Sequence, residues 1–256
     1  MSTNRHERLL LILNKQPQIN LVELGQILAV SPRTLRRDIK TLAVEGHAIT
    51  IRGNVVLFDR PESPCQENSF SLRLRNNVNA KRAIARWAAD LVKDGDTIFV
   101  DASSTVYYMA PFLSARRNLI ILTNGIEIGR CLAANPSNLV MLVAGVIRPD
   151  GSSVIGPLYE PVLRNRHIKT VFVSSKGFSL AAGLTEIDRD EAAVKNQIIN
   201  LAEATVALVD SSKFGQVYQA PFVRATQITH IFSDDGLDPA WIGQVQNSSI
   251  VLTCCQ

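Results

Sequence analysis

Between Leu21 and Leu42 the chain reads LVELGQILAVSPRTLRRDIKTL, and apolar positions recur there at helical spacing in two runs. In the second run Leu35, Ile39 and Leu42 fall at i, i+4 and i+7, while Arg33, Arg36, Arg37 and Lys40 fill another face. Ser31 offers a side-chain oxygen to the free N–H groups of a helix start, and Pro32 suits the first helical position, so this helix is predicted to begin at Ser31. In the first run Asn20 is a candidate cap with Glu23 three residues on, and Leu21, Leu24, Ile27 and Leu28 make the apolar side. Only Ala29 and Val30 separate the two. Two short helices joined in this way predict a helix-turn-helix, whose second helix enters the DNA major groove with its first turn on base edges and its cations on phosphates. A further helix is predicted from Arg5 to Asn14, packing through Leu9, Leu10, Ile12 and Leu13 and ending before Pro17. Ile49, Ile51, Val55 and Leu57 alternate around Arg52-Gly53-Asn54, a hairpin pattern. As a wing beside the groove, that hairpin would put Arg52 on phosphate or in the minor groove; as a plain turn it would leave Arg52 in solvent.

Residues 59–79 hold two prolines and few apolar positions in sequence, the composition of a linker. From Ala80 the pattern becomes helix alternating with strand. Ile84, Trp87, Ala88 and Leu91 share a helical face, and short apolar runs follow at Thr97 to Asp101, Leu119 to Thr123, Leu139 to Val143, Thr170 to Val173, Val206 to Asp210, Ile228 to Phe232 and Ile250 to Thr253. Strands separated by helices predict an α/β domain with a largely parallel sheet. The expected organisation is a DNA-binding domain over 1–58, a linker over 59–79 and an α/β domain over 80–256.

The residues after the strands are small, hydroxylic or charged: Asp101-Ala102-Ser103-Ser104-Thr105, Thr123-Asn124-Gly125, Ala144-Gly145, Ser174-Ser175-Lys176-Gly177 and Asp210-Ser211-Ser212-Lys213. The carboxyl ends of parallel strands open on one edge, where such folds bind ligands, so the five loops are expected to converge on one crevice. Ser103 to Thr105 and Asn124 to Gly125 each lead into a helical stretch, a setting for an anion such as phosphate, with Lys176 and Lys213 as compensating charge.

Charge separates the two halves. Residues 1–60 carry nine Lys/Arg against five Asp/Glu, and the remaining 196 residues carry 18 of each sign, so the whole net charge of +4 sits in the first quarter of the chain. Positive charge concentrated on a small helical unit is the footprint of a nucleic-acid binder. The first eight residues hold no apolar signal core, and no apolar run is long enough to span a bilayer, so a cytosolic protein is expected. Cys65, Cys131, Cys254 and Cys255 lack C-x-x-C spacing and His6, His47, His167 and His230 are scattered, so neither a metal nor another cofactor is expected.

Along nearly its full length the chain resembles the DeoR family of bacterial transcriptional regulators. The resemblance lies in V-S-P-R-T-L-R-R-D-I (Val30 to Ile39), K-R-A-I-A (Lys81 to Ala85), D-G-D-T-I-F-V-D-A-S-S-T (Asp94 to Thr105), T-N-G (Thr123 to Gly125), D-E-A-A-V-K (Asp190 to Lys195) and V-D-S-S-K-F-G (Val209 to Gly215). It implies a winged helix-turn-helix, mainly α with a β-hairpin wing, on a sensor similar to ribose-5-phosphate isomerase. It further implies a phosphorylated sugar as effector, a homo-oligomer (dimer or tetramer), and repression of carbohydrate catabolism or transport genes. The family's usual Gly-Gly pairs appear here as Gly53-Asn54 in the wing and as Ala144-Gly145-Val146 after the third sensor strand. Ser31, Arg33, Thr34, Arg36, Arg37, Lys40 and Arg52 are the candidate DNA contacts. Asp101, Ser103, Ser104, Thr105, Thr123, Asn124, Gly125, Gly145, Lys176, Glu191, Lys195 and Lys213 are the candidate effector contacts. The related isomerases use an Asp-rich loop for proton transfer, whereas Ser174 to Gly177 has no carboxylate, which favours binding over catalysis. Asp101 and Glu191 could act as base or accept a sugar hydroxyl, and the hydroxyl role is the expectation. An isomerase-like enzyme with an appended DNA-binding head is the alternative.

Overall fold

The structure, a computed structural model, describes residues 6, 8–9, 12–13, 18–44, 48–51, 54–57, 70–148, 151–156 and 167–256. The chain divides into two units, Met1–Glu67 and Asn68–Gln256.

In the first unit β1 (Gln18–Asn20) runs directly into α1 (Leu21–Leu28), and α2 (Pro32–Val44) follows after a three-residue turn. Asn20 caps α1, its side-chain oxygen accepting from the Val22 N–H at 2.9 Å. Ser31 does the same for α2, accepting from the Thr34 N–H at 3.2 Å. Between the helices Ala29 adopts φ 52°, and the N–H groups of Ala29 and Val30 return to the carbonyls of Gln26 and Gly25. This closes α1 and turns the chain into α2. His6, Arg8, Leu9, Ile12 and Leu13 are helical, and Leu9 and Leu13 pack with Ile19, Leu21, Leu24, Leu35, Ile39 and Leu42 into the core of this unit. Ile27 is 53% exposed, unlike Leu21 and Leu24; at 100° per residue it lies about 60° beyond Leu24 and about 120° from Leu21, at the edge of the buried face. β2 (Ala48–Ile51) and β3 (Asn54–Leu57) form the expected antiparallel hairpin, and β1 adds to the far side of β3. Arg52 and Gly53 at its tip lie outside the described residues.

The second unit opens with α3 (Phe70–Arg75) and α4 (Val78–Ala89), so residues 70–79 are not the open linker that their composition predicts. α4 buries Lys81, Ile84, Ala85, Ala88 and Ala89, and leaves Trp87 47% exposed. The helix therefore packs through Lys81, Ile84, Ala85 and Ala88 at i, i+3, i+4 and i+7; Trp87 sits outside that arc, and Leu91 lies beyond the end of the helix. The centre is a sheet of β4 (Thr97–Val100), β5 (Ile120–Thr123), β6 (Leu139–Leu142), β9 (Ile168–Val173), β12 (Ala202–Leu208), β14 (His230–Asp234) and β15 (Val251–Cys255). All its pairings are parallel and its order is β15-β14-β12-β9-β4-β5-β6. One face, through Ile98, Val100, Ile121, Phe172, Val206 and Phe232, packs on α4, α5 (Ser104–Tyr107), α6 (Ala110–Leu113) and α7 (Ile126–Leu132). The other, through Phe99, Leu122, Val171, Val173 and Ala207, packs on α8 (Arg189–Ile199) and α9 (Pro239–Gln246). Alternate residues thus serve opposite cores, as a sheet covered on both faces requires.

Two smaller sheets escape the sequence pattern: the β7 (Val146–Ile147) and β8 (Val154–Ile155) pair, and an antiparallel β10-β11-β13 sheet of Gly177–Ser179, Gly183–Glu186 and Ala220–Val223. β10 and β11 turn tightly at Gly183, whose φ is 71° and where any Cβ would stand 1.8 Å from the Val223 carbonyl oxygen, so only glycine fits.

An alanine in left-handed conformation at the helix-turn-helix corner stores strain. Replacing Ala29 by Gly is expected to stabilise the protein by about 0.5–1 kcal/mol, the relief of strain less the added entropy of the unfolded chain. Chemical denaturation measures it, and a destabilised Ala29→Gly protein would contradict the assignment of strain.

Candidate functional site

On α2 the two faces are cleanly divided. Leu35, Ile39 and Leu42 are buried, whereas Arg33, Arg36, Arg37 and Lys40 are exposed and Thr34 is half-buried. Ser31 and Thr34 share a hydroxyl hydrogen bond of 2.9 Å beside the cap, which sets both at the start of the helix next to Arg33. Asp38 is buried on the core side, its carboxylate 3.5 Å from His6 Nε2. Its place beside Ile39 is why the exposed face carries cations alone.

The sensor sheet has one point where its strand order reverses. From β4 the chain moves outward through β5 and β6, then returns to the other side of β4 as β9 and moves outward again through β12, β14 and β15. The carboxyl ends of β4 and β9 flank that switch, the standard place for a ligand crevice in such sheets. Asp101 follows β4 and Ser174 follows β9. Asp101 is fully buried; one carboxylate oxygen accepts from the Ser174 N–H at 3.1 Å and the other from the Ser103 N–H at 2.9 Å. The loops are cross-tied further by Asn124, whose oxygen accepts from the Ala102 N–H at 3.0 Å and whose amide donates to the Val154 carbonyl at 3.4 Å.

Lys195, from α8, inserts its ammonium into this junction. It donates to Glu186 at 2.7 Å and to the Ser174 carbonyl at 2.8 Å, and lies 3.0 Å from Asp101, with all three side chains buried. Burial by itself would lower the Lys195 pKa, but the carboxylates of Asp101, Glu186 and Glu191 outweigh it and hold the value above that of an ordinary lysine. Glu191, one turn before Lys195, meets Arg148 at 2.5 Å and accepts from the Ser153 hydroxyl at 3.3 Å. Against a burial effect that raises it, Lys195, Arg148 and Arg73 bring its pKa below the usual carboxylate value.

A second cluster is cationic. Lys213 donates to the Ser174 hydroxyl at 2.9 Å and pairs with Asp210 at 3.3 Å, and Asp210 also accepts from the Asn77 amide at 3.2 Å. Lys81 donates to the Asn76 carbonyl at 2.7 Å and to the Arg73 carbonyl. Burial, followed by repulsion from Lys213, lowers the Lys81 pKa to about 8. Burial, followed by repulsion from Arg73, does the same for Lys176, also to about 8.

Of the candidate effector residues, Asp101, Lys195, Lys213 and Glu191 are joined by these contacts, and Ser103, Thr105, Thr123, Asn124, Gly125 and Lys176 stand on the same loops. The Ser103 hydroxyl is used to cap α5 and the Thr123 hydroxyl accepts from the Gly125 N–H, so both shape loops. Ser104 is buried in the first turn of α5. Gly145 packs against β8, where a Cβ would lie 2.3 Å from the Ile155 carbonyl oxygen. Ser174, Glu186, Asp210, Lys81 and Arg148 belong to the two clusters although the sequence pattern does not single them out as contacts. A signal exists for Lys81, a lysine on the apolar arc of α4; Glu186 reaches the site on β11, a strand without a pattern. Three of the six buried side-chain atoms without a partner among the described residues are Thr105 Oγ1, Ser175 Oγ and Glu186 Oε2, all on these walls. Leaving such an atom unpaired in the interior costs about 1–3 kcal/mol.

A family model described as the DeoR C-terminal sensor domain matches residues 76–235, more than half of the chain, and one described as an HTH domain matches residues 5–55. The chain belongs to the DeoR family of transcriptional regulators. It is 31% identical to the L-fucose operon activator of Haemophilus influenzae over 91% of this chain and 92% of that one. It is 28% identical to the HTH-type transcriptional repressor CsqR of Escherichia coli over 96% of this chain and 93% of that one. Among solved structures, ribose 5-phosphate isomerase A of Methanocaldococcus jannaschii aligns with a TM-score of 0.42 and 17% identity, over 54% of this chain and 55% of that one. This DeoR-family protein is therefore a transcriptional regulator with a DNA-binding helix-turn-helix and a sensor domain.

Removing the Lys195 ammonium leaves Asp101, Glu186 and Glu191 buried without their shared cation. Lys195→Met is expected to cost about 3–5 kcal/mol at neutral pH. Because the raised lysine stays charged until well above neutrality, wild type loses none of this contribution near pH 7. In the variant Glu191 loses the cation that does most to hold its pKa down, so its folded value rises and the deficit should shrink on acidification toward about pH 4. Denaturant unfolding at both pH values measures it; a deficit that is small, or that grows in acid, would refute the clustered-charge account.

Proposed function

We propose that this protein is a sequence-specific repressor of a carbohydrate catabolism or transport operon, released or recruited by a phosphorylated sugar bound in the crevice at the β4–β9 switch. The observation that supports the effector assignment is the meeting there of crowded, partly buried lysines with hydroxyl and carboxylate oxygens that have no partner among the described residues. A phosphate would neutralise Lys81, Lys176 and Lys213, and sugar hydroxyls would pair with Thr105, Ser175 and Glu186. On the DNA side, Arg33, Thr34, Arg36 and Arg37 are assigned to base edges and Ser31, Lys40 and Arg52 to the phosphate backbone. Two copies would read two half-sites about one helical turn apart, so a dimer or tetramer is assigned, acting in the cytoplasm where its operator lies. The CsqR relationship supports repression.

Binding without turnover is the favoured reading of the carboxylates. A proton-abstracting base needs an available lone pair and a pKa near the working pH. Asp101 already accepts two backbone N–H groups and faces Lys195, and Glu191 is held down in pKa against Arg148. An isomerase-like activity would be revealed by turnover of pentose or hexose phosphates.

Arg36→Ala is expected to weaken operator binding by roughly 1–3 kcal/mol and to relax preference at one base position. Titration of the variant against duplexes selected by wild type tests this, and an unchanged affinity and preference would take Arg36 out of the recognition set. In a thermal-shift panel, one sugar phosphate should raise the melting temperature while its unphosphorylated parent does not. Lysines whose folded pKa is lowered oppose folding while charged, so the unliganded protein recovers that loss as pH rises from about 8 to the ordinary lysine value. The phosphorylated ligand needs the same lysines charged, so its affinity should fall between about pH 7 and pH 9, by up to tenfold per pH unit for each lysine engaged. A pH-independent affinity would remove Lys81 and Lys176 from the site.

A further inference from the structure

α3 is the first described element after the boundary between the units, and it is held by groups that also build the crevice. Its carbonyls are the attachment points. Lys81 donates to the Arg73 carbonyl and, in the turn that follows, to the Asn76 carbonyl, while the Tyr108 hydroxyl donates to the Leu74 carbonyl at 2.8 Å. The Phe70 ring stands edge-on to Tyr107 at 5.6 Å, and the Arg73 guanidinium lies over the Phe70 ring at 6.0 Å. Tyr107 and Tyr108 end the same short helix that begins with Ser104 and Thr105 and is capped by Ser103. The two supports of α3 thus rise from two crevice walls.

The Arg73 carbonyl accepts directly from the Lys81 ammonium, which sets this residue beside that lysine. The Arg73 charge acts on Lys176 and Lys81, lowering both, and on Glu191. Arg73, Lys81, Lys176 and Lys213 are therefore gathered together, and of the nearby carboxylates Asp210 pairs with Lys213 and Glu191 with Arg148. A phosphate monoester carries about −1.5 to −2 charges at neutral pH and three acceptor oxygens, and an arginine fork matches its geometry better than a lysine does.

We propose that α3 is a wall of the anion site, with Arg73 as a direct ligand of the anionic group, so that occupancy tightens α3 on the sensor unit at the point where the chain leaves for the DNA-binding unit. The proposal rests on the anion-site reading above and adds the element of the sensor unit that responds to occupancy. An anion held between Arg73 and the lysines would draw the α3 side chain inward while Lys81 and Tyr108 hold its backbone, so the helix would open less often.

Hydrogen exchange on the full chain, with and without millimolar inorganic phosphate as probe, tests it. Phosphate should slow exchange in 71–76 together with 103–106 and 211–215. Arg73→Ala should weaken phosphate binding by about tenfold, the worth of a charge-assisted hydrogen bond. Tyr108→Phe, which removes only a hydroxyl, should leave phosphate affinity within about twofold, a change too small for a lost ligand contact, and should diminish the slowing in 71–76. Unchanged exchange in α3, or unchanged phosphate affinity of Arg73→Ala, overturns the proposal while leaving the anion site standing. No protection in any segment rejects the anion site and this proposal together.

Discussion

A buried ammonium, that of Lys195, holds the sensor domain together where its sheet reverses order. Charge in a protein interior is costly unless it is paired and hydrogen-bonded, and here one cation answers Asp101, Glu186 and the Ser174 carbonyl at once. Each partner comes from a different element: the loop after β4, the end of β11 and the loop after β9. The cluster therefore ties the loops after β4 and β9 to β11, and with one ammonium between two carboxylates it carries no surplus of positive charge. Whatever attracts an anion must come from the remaining cations.

Those cations are strained in the opposite sense. Lys81 and Lys176 are only partly solvated, face like charges, and have a weaker hold on their protons than free lysines. Positive charge crowded in this way has already met the cost of being gathered, which is the preorganisation that the proposed anion site requires. The same chain uses cations differently in the helix-turn-helix unit. There Arg33, Arg36 and Arg37 stand exposed on α2, hydrated and screened, ready to exchange counterions for DNA phosphates. One chain thus holds its cations in two distinct dielectric settings, exposed on α2 and partly buried beside the sensor sheet.

Much of this architecture is legible in the order of residues alone. The apolar periods of 3.6 and 2 report which face of a local segment is buried, and they mark the two helices of the head, the hairpin after them and all seven strands of the parallel sheet. Ser31 and Asn20 act at the helix starts as their chemistry requires. The loops after β4, β5, β9 and β12 carry polar residues that tie the strand ends together, and small and charged side chains at strand ends are visible in one dimension. Trp87 shows the limit of such reasoning: an aromatic near the apolar stripe of α4 faces solvent, since smaller residues fit the sheet more closely.

Local elements, caps, the concentration of charge in the head and the family all follow from sequence, since each depends on neighbours within a few positions or on motifs in order. Three-dimensional packing was needed to insert β9 beside β4 and so bring Asp101 to Ser174, 73 positions away. The same packing delivered Glu186 on an antiparallel strand without a sequence pattern, gave α3 to the sensor unit, and turned a scatter of lysines and carboxylates into two clusters of opposite electrostatic sense. The physical reason is that strand order is set by long-range packing of both sheet faces. No periodicity encodes which distant loops that packing will bring within hydrogen-bond reach.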